Sequence, residues 1–323
     1  MSEYVYLTGT GLQVSRVCLG TMTFGGQVDE KTGIEAVAMA VDNGINFIDT
    51  ANVYSKGESE RIVGRALSGR RDRFILASKV GQPMRSGPNG AGLSRHSVIK
   101  ELEDSLERLR TDYVDLYYMH VPDPHTPAEE TLGAMDDLVR SGKVRYIGVS
   151  NHSAWQMCRL RHIADERSLN RPVVTQSVYN LLTRGIEDEL IPFLDAYQTG
   201  LVVFNPLAGG LLTEKYAAKQ RIANTRFESF ASYAPRYWNE ENLSAWDEVK
   251  AIASAAGLSM IELAMRWLTS NPRVDSVIIG FSNLDQLREN IAACDSPHLA
   301  SDTLEACDRV WHGLLGNRFS YHR

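Results

Sequence analysis

Short apolar runs alternate with longer amphipathic stretches from one end of the chain to the other. RVCLG (Arg16–Gly20) precedes a helix-period pattern over Glu30–Asn43, INFID (Ile45–Asp49) precedes one over Glu58–Ser68, and RFILASK (Arg73–Lys79) precedes one over Ser94–Leu109. The runs YVDLYYMH, VRYIGVSN, VVTQSVYN, LVVFNPLAG and VDSVIIGFS follow, each ending in polar or glycine-containing residues before another helical stretch. Runs rich in Val, Ile and Leu without strict alternation, each leading into a helix, predict parallel strands covered by helices. Eight such units in this chain predict a closed (β/α)8 TIM barrel of α/β class rather than an open sheet. No strict G-x-G-x-x-G follows the first run, which argues against a doubly wound dinucleotide fold. The opening YVYLTGTGLQVS predicts an N-terminal β-hairpin with a glycine-containing turn, placed to plug the barrel's lower end.

Nothing like a Pro/Gly/Ser linker divides the 323 residues, so one barrel domain over 1–323 is expected. The net charge of −6 gives no overall field for attracting nucleic acid or an anionic membrane surface, and any basic site must be local. Cys18, Cys158, Cys294 and Cys307 are dispersed and form no CxxC or Cys/His cluster, which suits reduced thiols and a cytoplasmic setting. The start MSEYVYLTG lacks a signal-peptide pattern, and no apolar run reaches membrane-spanning length. A metal-dependent hydrolase on the same barrel is disfavoured, because there is no HExxH or HxH and no metal ligand set is expected.

Three connections stand out by length: Gly81 to Leu93, Gly209 to Trp238, and the tail after Trp311. Long ordered loops in a compact domain commonly carry function, so these are expected to wall a ligand pocket at the carboxyl ends of the strands. Pocket candidates are Met22 and Phe24 from the first strand end, Met84 and Arg85 from the first long loop, Tyr233 and Trp238 from the second, and Tyr321 from the tail.

The ionisable residues at neighbouring strand ends form a set with specific chemistry. Asp49 closes the second strand, with Tyr54 shortly after it; Lys79 closes the third and His120 the fourth. Adjacent strands lie roughly 5 Å apart, so these tips can converge. A phenol is a poor acid at neutral pH, but a nearby ammonium stabilises its phenolate and brings proton donation into range. A buried ammonium in turn needs a carboxylate beside it, which Asp49 supplies. His120 is placed to hydrogen-bond a substrate oxygen or the phenol.

At these residues the chain resembles the aldo-keto reductase family over nearly its whole length. GINFIDTANVYSKGESERIVGRAL and SLERLRTDYVDLYYMH look like the family's first and second signatures, and GKVRYIGVSN looks like the stretch ending the fifth strand. The resemblance implies NAD(P)H-dependent, reversible reduction of an aldehyde or ketone to an alcohol. Tyr54 would be the general acid, Lys79 and Asp49 would tune it, and His120 would orient the carbonyl. It also implies a coenzyme site. Gly20, Thr21 and Asp49 line it, and Ser150, Asn151 and Gln176 match the residues that hold the carboxamide. Phe204 stands where the family usually stacks a Tyr on the nicotinamide. FNPLAGGLLTEKY resembles the pyrophosphate loop and carries Asn205, Pro206, Leu207, Gly209, Leu211 and Lys215. IIGFSNLDQLRENI resembles the adenosine-end motif and carries Gly280, Phe281, Ser282, Gln286, Glu289 and Asn290, with Arg226 in the closing loop. Ser282 and Asn283 replace the basic residues of the best-known members, yet Lys215 or Arg226 can bind the extra phosphate, so NADPH is favoured over NADH. The segments GLSRHSVIKELEDSLERL and TPAEETLGAMDDLVRSGKVRYIGVSN look closest to the branch of bacterial reductases and voltage-gated potassium channel β subunits. That branch leaves room for a homo-oligomer and for an alternative role as an NADP(H)-binding, redox-sensing interaction subunit with little turnover.

Overall fold

The computed structural model describes residues 3–222, 225–229 and 233–316; Tyr321, one of the expected pocket residues, lies outside them. β1 (Tyr4–Tyr6) and β2 (Gln13–Ser15) form the expected antiparallel hairpin, with Val5 opposite Val14. The barrel strands are β3 (Val17–Gly20), β4 (Phe47–Asp49), β5 (Ile75–Val80), β6 (Val114–Met119), β7 (Val144–Ser150), β8 (Pro172–Val178), β9 (Gly200–Phe204) and β10 (Ser276–Ile279). Each pairs in parallel with its sequence neighbour, and β10 closes the ring against β3. The helices packed around the first five are α1 (Glu30–Asp42), α2 (Glu58–Ala66), α3 (Arg95–Leu109), α4 (Ala128–Arg140) and α5 (Ala154–Arg167). After them come α6 (Leu190–Ala196), the short α7 (Arg226–Ser229) and α8 (Ala234–Tyr237), then α9 (Glu240–Ala255), α10 (Met260–Ser270), α11 (Leu284–Cys294) and α12 (Ser301–Leu315). Among the described residues, no single helix is long and apolar enough to cross a membrane.

The apolar residues divide between the two faces of the barrel wall. Cys18, Phe47, Ala77, Leu116, Val174 and Val202 fill the interior, while their neighbours Leu19, Ile48, Leu76 and Tyr117 pack outward under the helices. Burial on both faces is why the strands read as continuous apolar runs. Leu7 and Val14 of the hairpin belong to the interior cluster, so the hairpin plugs the lower end as expected. It is latched there by Asp275, which accepts from the Thr8 hydroxyl at 2.7 Å and from the Leu201 amide at 2.8 Å.

α2 and α3 pack closely at Gly64. A Cβ at Gly64 would stand 2.6 Å from the carbonyl oxygen of Leu109 and 2.7 Å from that of Arg108, and backbone cannot yield as a side chain can. Gly64→Ala is therefore expected to destabilise the fold by about 1–3 kcal/mol through overpacking. A thermal melt should show a lower Tm, and an unchanged one would mean the helices separate without cost.

The long connections are more structured than their composition suggests. Residues 81–93 have no helix or strand but are closed on themselves, Gly92 N–H donating to Gly81 at 2.9 Å and Met84 N–H to Gly90 at 2.9 Å. Asp123 then pins the end of the loop through the Leu93 amide at 2.8 Å. The segment from Gly209 to Trp238 is not one open loop, since it contains α7 and α8. Trp238 stacks edge-on with Tyr216 and Phe227, at centroid separations of 5.3 and 5.2 Å, and so serves the segment's own small core. The tail begins later than expected, because α12 continues through Trp311 to Leu315.

Candidate active site

β4, β5 and β6 deliver their chemistry to the same end of the barrel. Strand register sets Asp49 beside Gly20 on one side and Ala77 on the other, with Lys79 beside Tyr118. The Lys79 side chain is fully buried, and its ammonium donates to Asp49 Oδ1 at 2.5 Å, to the Thr50 carbonyl at 2.7 Å and to the Tyr54 hydroxyl at 3.2 Å. The other carboxylate oxygen of Asp49 accepts from Gln176 Nε2 at 2.8 Å, which ties β8 into the group. The His120 ring stands edge-on to Tyr54 with centroids 6.0 Å apart, and its buried Nδ1 has no hydrogen-bond partner among the described residues.

Burial and charge set the protonation states. Burial works against the Lys79 ammonium, but Asp49 and Tyr54 outweigh it and hold the group above its ordinary value. Burial, reinforced by Lys79, drives the His120 imidazole down to about 3, so it is neutral at every ordinary pH. For Tyr54 the balance differs from the sequence expectation. Burial pushes the phenol above its ordinary value, and the pull of Lys79 recovers only part of that. The phenol is thus a firmly protonated donor at neutral pH, and the ammonium limits the cost of losing the proton rather than removing it.

The hydroxyls of Ser59 and Thr50, which the sequence reading did not single out, join that of Thr21 around this group. Ser59, in the first turn of α2, lies 2.8 Å from the Thr21 hydroxyl and 2.9 Å from that of Thr50, and donates to the Thr21 carbonyl at 2.8 Å. The Thr21 hydroxyl in turn donates to the Asp49 carbonyl at 3.0 Å. Their signal was available: Ser59 and Glu60 share the buried stripe of α2 with Ile62 and Val63, where a helix normally sets apolar residues. Tyr54 ends a turn closed by its own N–H to Ala51 at 3.1 Å. Ser55 (φ 48°) and Lys56 (φ 54°) follow in the left-handed region, at a cost of roughly 1–2 kcal/mol each. Ser55 anchors the strained stretch by donating to the Phe24 carbonyl at 2.7 Å.

The residues expected around a nicotinamide surround the same strand ends. Ser150 ends β7, and Asn151, at φ 61°, donates through Nδ2 to the His120 carbonyl at 2.9 Å and to the Ser150 hydroxyl at 3.1 Å. Phe204 ends β9 half-buried against the interior cluster. The following turn is held by Asn205, whose Oδ1 accepts from the Gly209 amide at 2.7 Å and whose Nδ2 donates to the Tyr237 hydroxyl at 2.6 Å. Gly209 has φ 71°, and a Cβ there would strike the Tyr233 ring at 2.7 Å. Pro206 and Leu211 are buried, so they shape this turn rather than face a ligand with their side chains. Leu207 is half-buried, and its carbonyl accepts from Gly210 at 2.7 Å.

Beyond this turn two cations converge. Lys215 Nζ stands 3.1 Å from where a Gly210 Cβ would be, and Arg226 Nη2 is 3.2 Å from the same position on Gly280. Arg226 Nη1 donates to the Tyr233 hydroxyl at 3.1 Å. Burial, then the charge of Arg226, lowers the pKa of Lys215. Among the described residues neither cation is ion-paired with a carboxylate. Asn290 donates to the Gly280 carbonyl at 3.0 Å, while Gln286 accepts from Ser282 N–H at 3.0 Å and from its hydroxyl at 2.9 Å. Glu289 is exposed on α11.

Other expected residues sit elsewhere. Phe24 is fully buried and packs on Phe281 at 5.9 Å, so it belongs to the core and does not line a pocket. Arg85 is held by Glu101 at 2.8 Å and is not a free cation awaiting an anionic substrate. Met22 and Met84 are half-buried, and Tyr233 lies close enough to Tyr54 to bear on its ionisation. No group of three or more potential metal ligands occurs among the described residues.

Comparison with known proteins gives this geometry its relatives. The model described as the aldo/keto reductase family matches residues 16–312. A probable voltage-gated potassium channel subunit beta from Oryza sativa subsp. japonica is 38% identical over 95% of this chain and 96% of its own. The uncharacterized oxidoreductase YrpG of Bacillus subtilis is 40% identical over 91% of both chains, and the human aflatoxin B1 aldehyde reductase member 2 is 36% identical over 94% of this chain and 89% of its own. With the barrel, the buried lysine between an acid and a phenol, and a family match that runs nearly end to end, the chain belongs to the aldo/keto reductase family of oxidoreductases.

Proposed function

We propose that this protein reduces an aldehyde or ketone to an alcohol, reversibly, with NADPH as its coenzyme. The observation that carries the reading is the Lys79 ammonium lodged between Asp49 and the Tyr54 hydroxyl. The donor set suits the coenzyme: Ser150 and Gln176 stand side by side on β7 and β8 with Asn151 following, Phe204 ends β9, and Lys215 and Arg226 converge without a carboxylate partner among the described residues. When bound, the dihydronicotinamide supplies a hydride to the carbonyl carbon. Tyr54 gives its proton to the carbonyl oxygen, which stays on carbon as the alcohol hydroxyl, and the phenolate is left facing Lys79. The fixed ammonium needs no reorganisation as that charge appears. Neutral His120 orients the carbonyl and carries no charge to compete with the phenol. A relative named for an aldehyde reductase supports the substrate class.

A panel of aldehydes, ketones and sugars assayed with NADPH and NADH, following absorbance loss, tests reaction class and coenzyme together. Faster consumption with NADPH is expected. Arg226→Ala should raise KM for NADPH by about 10- to 100-fold, the value of a charge-assisted contact, and leave that for NADH nearly unchanged. Equal effects on both would assign Arg226 elsewhere. The similarity to a named channel β subunit favours a second reading, a coenzyme-binding interaction subunit with little turnover. Tight coenzyme binding with negligible consumption across the whole panel would select it.

A further inference from the structure

The loop of residues 81–93 and the turn that carries Tyr54 are joined by a buried bridge lying outside the group at Lys79. Asn52 is the first corner of that turn, it is fully buried, and its Nδ2 donates to Glu101 Oε2 at 3.0 Å. Glu101 reaches in from α3, and its other oxygen, Oε1, accepts from Arg85 Nη2 at 2.8 Å. The Glu101 side chain is 7% exposed while that of Arg85 is 44% exposed, so the carboxylate is internal and its countercharge comes from the loop above.

Each contact depends on the next. The carboxylate can only accept, which fixes the Asn52 amide with its nitrogen toward Glu101 and leaves Asn52 Oδ1 buried with no partner among the described residues. Glu101 is therefore the anchor for this side chain among the described residues. A buried carboxylate that loses its cation is driven toward water, because the remaining neutral contact does not offset its desolvation. Departure of Arg85 would draw Glu101 outward and release Asn52, and Tyr54 ends the turn whose first corner is Asn52.

We propose that Glu101 is a positioning residue for Tyr54, acting through Asn52, and that Arg85 holds it in that role, so that the pocket-side loop must be seated for the phenol to be aimed. This rests on the reading of Tyr54 as proton donor. The groups facing Tyr54 directly are Lys79, Asp49, His120 and Tyr233, and none of them belongs to the bridge. The bridge thus acts on where the phenol stands, and the charges around it are unaltered.

The test compares Asn52→Ala, Glu101→Gln and Arg85→Ala with the parent protein. The readouts are kcat, KM for coenzyme, the solvent isotope effect on kcat, and Tm. Asn52→Ala should lower kcat by about 10- to 100-fold, the scale of a small misplacement of a reacting group, with KM for coenzyme unchanged. The solvent isotope effect should rise as proton transfer from a misaimed phenol becomes slow. Glu101→Gln, which keeps an acceptor for Asn52 but loses Arg85, and Arg85→Ala, a change at a half-exposed site, should move kcat and the isotope effect the same way by less. If all three variants lower Tm only, with kcat and isotope effect as in the parent, the bridge is structural and the proposal is wrong. If Asn52→Ala does not fold, the other two variants decide by the same readouts. Tyr54→Phe separates the two levels. Retained turnover there would remove the proton-donor reading itself, whereas lost turnover with normal behaviour of the three bridge variants would remove only the coupling.

Discussion

Tyr54→Phe folds, binds coenzyme with nearly the parent affinity, and turns over about 10²- to 10⁴-fold more slowly, the usual contribution of a positioned acid. The substitution removes one oxygen that accepts from Lys79 at 3.2 Å and leaves the ring between Lys79 and His120. Lys79 keeps its contacts to Asp49 and the Thr50 carbonyl, so little strain is introduced. Coenzyme affinity by fluorescence titration and turnover on any active carbonyl check the two halves separately. Undiminished turnover would assign the proton to another group. Because burial holds the phenol protonated, the parent's reduction rate should not fall until the pH passes the ordinary tyrosine range.

Lys79→Met carries the largest combined cost. The variant loses turnover and is destabilised by roughly 3–5 kcal/mol, because Asp49 becomes a buried charge without its cation. Gln176 remains as a neutral donor at 2.8 Å, which does not replace an ammonium. Adding Asp49→Asn removes the uncompensated charge, and the double variant should regain most of the lost stability while staying inactive. Thermal melts of the two single variants and the double one measure the coupling. A double variant as unstable as Lys79→Met alone would show that the loss came from packing.

The strand and helix alternation was legible because barrel strands are buried on both faces and helices on one, and these patterns differ along the chain. The convergence of Asp49, Tyr54, Lys79 and His120 was legible for a related reason, since each falls at or just past the end of an apolar run and the barrel sends all such ends to one face. Other features depend on tertiary neighbours that spacing does not reveal. Arg85 and Glu101 meet across a self-closed loop and the second turn of α3, so the arginine was expected on a pocket wall and not as the partner of a buried carboxylate. Phe24 and Trp238 lie where pocket walls were expected, yet they pack on Phe281 and on Tyr216 with Phe227. The ionisation of Tyr54 depended on the depth of its burial, which outweighs the lysine whose presence the sequence made plain.

All three protons of the Lys79 ammonium are engaged, by a carboxylate, a carbonyl and the phenol, and Asp49 with Tyr54 keeps the group charged against its burial. Free amines condense with aldehydes to form imines, and a lysine needs an exposed lone pair to do so. Lys79 offers none, so a carbonyl compound brought up against Tyr54 meets an amine that is chemically silent toward it, and the pocket is protected from covalent capture by the very molecules it would handle.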